Sequence, residues 1–463
     1  MGIAEKDIPV AISEPGSDTH PTLRRVLTTP QLWGIAVGLV ISGEYFGWNY
    51  GWAVAGTVGF TIATGIVTIF YIAFIFSYTE LTTAIPDAGG PFAYAYRAFG
   101  PMGGFLAGFA TLVDFLLAPP AIAAALGAYA HFLNPDLSAV WIGVLAYLVF
   151  MALNVLGVRE SANFSLVITL LSVGELLVFM ALVFPAFKVE NVVAHTDSFG
   201  WQGIFAALPF AIWFYLAIEG AAMMAEEVKD PRRTIPRAYL LSIGTLVFLA
   251  LGTMLLCAGV GDWRTLSAID YPLPETLATV LGRGSLWTRF FASLGLFGLI
   301  ASFHCNTLGY SRQIYVLARN GYLPAFLAAV NERFRTPHWA LLAGGLVGLI
   351  ALFTGSTNQI IIFSVLGAMM MYAISLVSLM ALRRQEPELE RPFRTPFYPI
   401  LPVTALVLAV ICLVAIIYFN PWLSALFLLL GVLSLGLFRL VGRREVAVTL
   451  HTLNDQSDTK RAE

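Results

Sequence analysis

Two glutamates stand inside apolar runs long enough to cross a bilayer. Glu44 lies in ISGEYFGW, residues 41–48, and Glu219 in WFYLAIEG, residues 213–220. A charge at that depth is expensive to bury, so an intramembrane acid is by default a functional candidate. Each acid adjoins a glycine, Gly43 or Gly220, where a helix can lose its regular form. A helix interrupted in the membrane leaves backbone N–H and C=O groups unpaired, and the amides that open its second half form a positive site. Ser42-Gly43-Glu44 reads as such an interruption, with Glu44 where those amides would hold a carboxylate. An ionised Glu44 about 4 Å from a substrate carboxylate would repel it by roughly 4 kcal/mol at an effective dielectric of ~20, close to three decades in affinity. An ammonium would be attracted instead. The residues therefore favour an organic amine over an α-amino acid. The alternative stays open that Glu44 is protonated, or caps the second half-helix through backbone amides.

Other groups on these runs can serve the same chemistry. Ser42, Gly43 and Ile218 would offer backbone or hydroxyl contacts at the breaks, and Phe46, Trp213 and Tyr215 could face an ammonium by cation–π attraction. Packing is the competing role for each aromatic. Glu219 suits proton coupling, gating, substrate contact or a structural hold on its own broken helix. Asp114, Glu175 and His304, also within apolar runs, are further proton-coupling candidates, and Ser172 could help ligate sodium. Glu226 or Glu227, in AEEVKDPRRTIPRA, could pair with Arg232, Arg233 or a distant arginine to close an inner gate. Enzyme chemistry finds little support. His131, His304 and His338 are isolated, H-E-x-x-H and G-x-x-x-x-G-K-[ST] are absent, and Cys257, Cys305 and Cys412 have no metal-ligand or disulfide spacing.

The elements that must position these residues are membrane helices. The chain is 58% hydrophobic and 12% charged over 463 residues, with mean hydropathy +0.79, far from soluble composition. Twelve spans are expected at about 31–55, 57–84, 101–132, 138–156, 164–186, 203–228, 237–260, 285–318, 338–355, 359–382, 398–418 and 421–440. Residues 1–30 and 441–463 read as polar tails, and the first span as an uncleaved anchor. With both termini cytoplasmic, only Lys188, Arg264, Arg283 and Arg289 of the 26 lysines and arginines fall on the far side, so positive-inside bias fixes this orientation. The first and sixth spans both break, five spans apart, which suggests two inverted five-helix units, about 31–186 and 203–382, followed by peripheral helices in 398–440.

Four stretches carry a family resemblance: ISGEYFG, PDAGGPFAYAYRAFGPMGG (86–104), WFYLAIEGAAMMAEEVKDPRRTIPRAY (213–239) and GYSRQIYVLARNGYLPAFLAAVNERFRTPHWALL (309–342). Together the chain resembles the amino acid–polyamine–organocation transporter superfamily. That resemblance implies an all-α, twelve-helix integral membrane protein of the leucine-transporter fold, a 5+5 inverted repeat with two peripheral helices and with spans 1 and 6 broken. The superfamily's amino-acid carriers usually show glycine-serine-glycine and an aliphatic residue at the first break. Here Ile41 and Glu44 depart from that, and ISGEYFGWNYGW is similar to bacterial ethanolamine permeases. Glutamate at the Glu219 position is common among amino-acid carriers as well. Proton-coupled relatives often carry a lysine where this chain has Ser172, so that coupling route does not transfer. The resemblance implies a secondary active importer of ethanolamine in the bacterial inner membrane, working by alternating access. Its expected partners are a small amine and the lipid bilayer, with no nucleic acid and no cofactor. Protons are the expected coupling ion, with sodium as the alternative. An amino-acid or polyamine permease or exchanger is the competing reading. A receptor on the same fold is a third, though no output domain accompanies it.

Overall fold

The computed structural model describes residues 25–156, 162–194, 200–331, 333 and 336–439. The tail readings at 1–30 and 441–463 therefore lie outside the described residues, except for residues 25–30.

Among the described residues, twelve apolar helical segments follow one another. Span 1 begins as Thr29–Val40. Span 2 lies in Tyr50–Ala84, span 3 in Pro91–Leu133, and span 4 is Ala139–Val155. Span 5 is Ala162–Ala186, span 6 Gly200–Glu227, span 7 Pro231–Ala258 and span 8 Leu286–Arg319. Spans 9 to 12 are His338–Thr354, Thr357–Gln385, Ile400–Phe419 and Pro421–Arg439. Gly56, with φ 62° and ψ 179°, separates span 1 from span 2 inside one continuous run. Only glycine takes such a conformation freely. Gly100 (φ 71°, ψ −160°) does the same in the third segment, so Pro91–Phe99 forms a separate helical arm before the span proper.

The spans divide into an inner and an outer set. Within their most apolar windows span 6 is 89% buried by protein, span 10 78% and span 3 72%, against 33% for span 11 and 11% for span 12. The inner helices wrap the site, and spans 11 and 12 present apolar side chains such as Val407, Leu428 and Val432 outward, as lipid contact requires.

One connection that reads as plain loop in the sequence carries a helix, Pro272–Leu281, seated on buried Leu273 and Leu277. The preceding residues clasp the second half of span 1. Asn49 Nδ2 donates to the carbonyls of Leu266 (2.6 Å) and Ile269 (2.8 Å), and Asp270 accepts from Tyr50 (2.6 Å) and Thr357 (2.8 Å).

At the opposite, basic face, Glu80 is fully buried and paired. Arg383 donates to it at 2.8 and 2.6 Å, Arg391 lies at 3.3 Å, and the Thr395 amide donates at 2.7 Å. This acid ties span 2 to the end of span 10 and the connection beyond it. A second pair on this face, Arg97–Glu386 at 2.6 Å, is partly exposed. Hydrogen bonding from Arg97 holds the Glu386 carboxyl below its ordinary value of 4.5. Its stabilisation is therefore present above about pH 4.5 and lost as pH falls through the lowered value. Solvent screening limits it to roughly 0.2–1 kcal/mol. Arg97→Ala should leave thermal stability at pH 7 lower by that much, with the difference from wild type vanishing in strong acid.

Candidate functional site

Spans 1 and 6 lose their helical form side by side. In span 1 the helix falters at Ile41, re-forms for one turn at Ser42–Tyr45 and then opens through residues 46–49. In span 6 the regular helix Gly200–Trp213 ends, residues 214–217 turn, and Ile218–Glu227 continues as a 3-10 helix. Ala217 sits in the left-handed region at φ 74°, a strained state for a residue with a Cβ.

These positions correct the sequence reading in both helices. The opening in span 1 falls at Phe46–Asn49, after Glu44, so Glu44 closes the first half-helix and does not begin the second. Two glycines with different duties explain the shift. Gly47 takes φ 93° and makes the turn, whereas Gly43 stays helical and provides contact. A Cβ on Gly43 would lie 2.4 Å from the Trp213 carbonyl oxygen. In span 6 the turn precedes Ile218-Glu219-Gly220 and leaves Glu219 in the first turn of the second half. Because the clashing atom at Gly43 is backbone, Gly43→Ala must push the two broken helices apart. Overpacking of this kind costs about 1–3 kcal/mol. Transport in vesicles should collapse in this variant while membrane insertion persists.

The opened backbone finds side-chain partners, as buried polar groups must. Trp48 Nε1 donates to the Glu44 carbonyl (3.1 Å), Tyr129 Oη to the Tyr45 carbonyl (3.1 Å), and the Gly47 amide to Asn49 Oδ1 (3.0 Å). Phe46 meets Trp213 edge-on at 5.7 Å, and Trp48 stacks on Phe214 at 5.7 Å.

A small cavity lies at this crossing, lined by Val40, Ser42, Ala118, Trp213, Ala217 and Asn306 among others. Its polar groups have spent their donors. Ser302 Oγ donates to the Leu39 carbonyl (2.6 Å), so in its 2.8 Å contact with Ser42 it is Ser42 that donates. Asn306 Nδ2 donates to the carbonyls of Leu39 and Ser302, both at 2.9 Å. Asn306 Oδ1 is left buried without a partner among the described residues, and it accepts only. The wall thus suits a ligand that donates hydrogen bonds. Sequence reading missed Asn306 and Ser302; their spacing of four on one face of span 8 was the available signal.

Glu44 is fully buried, and neither carboxylate oxygen has a hydrogen-bond partner among the described residues. It does not line the small cavity. It lies two residues beyond Ser42 on the same short turn, close enough to Tyr215 to interact electrostatically. Tyr215 itself bonds to Thr68 of span 2 at 2.8 Å and so turns from the cavity, and Ile218, though buried, does not line it. The cavity therefore draws together Ser42 and Trp213 from the predicted set, with Gly43, Glu44 and Phe46 beside it.

The coupling candidates divide into separate places. Glu219 accepts from Tyr372 at 2.7 Å and lies within hydrogen-bonding range of Asp114. Glu175 accepts from Tyr45 at 2.9 Å. The Ser172 hydroxyl donates to the Ile168 carbonyl of its own helix at 3.0 Å. His304 contacts Asn154 at 2.9 Å beside an apolar groove between spans 4, 5 and 8, away from the cavity. Glu227 meets Arg312 of span 8 at 3.4 Å, the distant arginine of the gate expectation, while Arg232 pairs with Glu390. Val26 and Leu27 are tied to the same place, since their amides donate to the Glu227 carbonyl and the Lys229 amide donates to the Leu27 carbonyl. Among the described residues no cluster of histidine, cysteine, aspartate and glutamate could hold a metal ion.

Comparison with known proteins agrees with this architecture. Residues 27–431 match the family described as amino acid permease. An uncharacterized transporter of Rhizobium meliloti is 29% identical over 83% of this chain and 85% of its own. A branched-chain amino acid permease of Bacillus subtilis is 21% identical over 87% and 91%. A low-affinity putrescine importer of Escherichia coli is 29% identical over 64% and 67%. With a matched segment that runs from the start of span 1 into span 12, broken helices and a cavity at their crossing, this chain belongs to the amino acid permease family and is a membrane transporter, not an enzyme.

Proposed function

We propose that this permease imports ethanolamine across the bacterial inner membrane, with both termini cytoplasmic, by alternating access driven by the proton gradient. The observation that carries the reading is Glu44, a fully buried carboxyl with no partner among the described residues, two residues beyond Ser42 of the cavity wall at the crossing of two broken helices. Such a group requires a proton or a cation beside it, and a substrate ammonium supplies the second. Its place at the end of a half-helix strengthens this preference, because the helix dipole puts partial negative charge there. The acceptor character of Asn306 and Ser42 suits the donors of an ammonium and a hydroxyl. A substrate carboxylate would meet acceptors on the cavity wall and a charge of its own sign nearby.

A diamine is the second reading, favoured by the likeness to a protein described as a putrescine importer. Uptake of radiolabelled ethanolamine into proteoliposomes, under an inward proton gradient and with alanine, arginine and putrescine as competitors, separates these. Accumulation of ethanolamine that alanine does not inhibit supports the proposal. Strong competition by putrescine moves the substrate to diamines, and transport of alanine or arginine in place of ethanolamine overturns it.

A further inference from the structure

Asp114 of span 3 and Glu219 of span 6 are both fully buried, and their carboxyl groups lie within hydrogen-bonding range of one another. Each keeps one oxygen occupied and one bare. Ser364 of span 10 donates to Asp114 Oδ1 at 2.9 Å, and Tyr372 of the same span to Glu219 Oε2 at 2.7 Å. Asp114 Oδ2 and Glu219 Oε1 have no partner among the described residues. The other ionisable groups that act on the pair are tyrosines: Tyr71 and Tyr78 from span 2, Tyr239 from span 7 and Tyr372 from span 10. None supplies a positive charge. Tyr239 donates to the Glu219 carbonyl and Tyr71 to the Tyr372 hydroxyl, so the two acids sit inside a fixed frame of donors.

Two carboxylates in hydrogen-bonding range of each other cannot both be ionised in a buried site, and one proton between them satisfies both groups together. We propose that Asp114 and Glu219 hold a single shared proton, and that this is the proton moved with substrate. The site lies where it can sense substrate. Glu219 opens the second half of span 6, two residues beyond Ala217 of the cavity wall, and Asp114 is four residues before Ala118, which lines the same cavity. Rearrangement of spans 3 and 6 as the substrate-loaded carrier opens inward would part the two acids and release the shared proton on the inner side together with the substrate. The coupling role rests on the proton-driven reading above; the sharing itself does not.

Infrared spectroscopy of the full-length protein tests the sharing without substrate. Asp114→Asn, Glu219→Gln and the double variant are compared with wild type in the carboxylic acid C=O region near neutral pH. An amide in either position donates to the remaining acid and leaves it ionised. Each single variant should lose one carboxylic acid equivalent, and the double variant no more than that one. Loss of two in the double variant, or of none, overturns the proposal. The coupling is read in proteoliposomes with whichever of ethanolamine, putrescine or alanine the wild type carries. Both amide variants should retain substrate exchange at equal pH, which reports an intact fold, and lose substrate-driven proton influx and uphill accumulation. Proton influx undiminished in either variant overturns the coupling role. Absence of ethanolamine uptake by wild type overturns the substrate reading and leaves the spectroscopic result standing.

Discussion

Glu44→Gln should abolish ethanolamine uptake while leaving the protein at least as stable as wild type. Attraction between a buried carboxylate and an ammonium at about 4 Å is worth roughly 4 kcal/mol at an effective dielectric of ~20. Loss of that attraction should reduce affinity by about two to three decades, part of the gain having been offset by desolvation. The same desolvation predicts the stability result. Glu44 has no partner among the described residues, so its replacement by a neutral amide breaks no ion pair and removes a buried charge. Uptake measured beside thermal unfolding in detergent separates the roles. A transport-dead variant with unchanged or raised Tm marks a binding residue. A variant that transports normally shows that Glu44 is held as a neutral structural acid. Alanine should inhibit Glu44→Gln more strongly than wild type, because the repulsion of its carboxylate is gone.

Glu80→Ala should have the largest effect on stability. The acid is fully buried between Arg383, 20% exposed, and Arg391, 7% exposed. Arg391 also donates to the carbonyls of Leu382, Glu386, Pro387 and Leu389, which folds the connection after span 10 over the end of the bundle. Removal of one member of a buried ion pair typically costs about 3–5 kcal/mol, because the partner charge is left uncompensated. In this case two guanidinium groups and the Thr395 amide would be stranded together. A much lower Tm and poor recovery from the membrane are expected. Combination with Arg383→Ala should cost less than the sum of the two single changes, as a shared network requires. A loss for Glu80→Ala below about 1 kcal/mol would instead class the cluster with ordinary surface pairs.

Glu80 and Glu44 also mark how far the sequence can be read. Composition and hydropathy were enough for an all-α membrane protein, because apolar segments of about 20 residues can satisfy their backbones in lipid only as helices. The junction of spans 1 and 2 at Gly56 was legible within a residue or two, and the depth of Glu44, Asp114, Glu175 and Glu219 followed from their places along apolar runs. The breaks were legible only approximately. A glycine in a membrane helix signals either a turn or a close approach, and nothing local tells Gly47, which turns, from Gly43, which touches the Trp213 carbonyl.

Which side chains meet was decided by tertiary structure alone. Asp114 and Glu219 lie on different helices, and Glu80 finds Arg383 across 303 residues of chain. Asn306 became a candidate only when its amide donors were seen to be spent on Leu39 and Ser302, leaving an acceptor toward the cavity. The physical reason is range. Hydropathy and periodicity act over a few turns of one helix and set what that helix is, whereas the orientation of each face depends on packing among helices far apart in sequence. The sequence by itself determined a helical membrane bundle with acids buried at two breaks; only the packed structure decided which acids pair and which, like Glu44, are left without a partner.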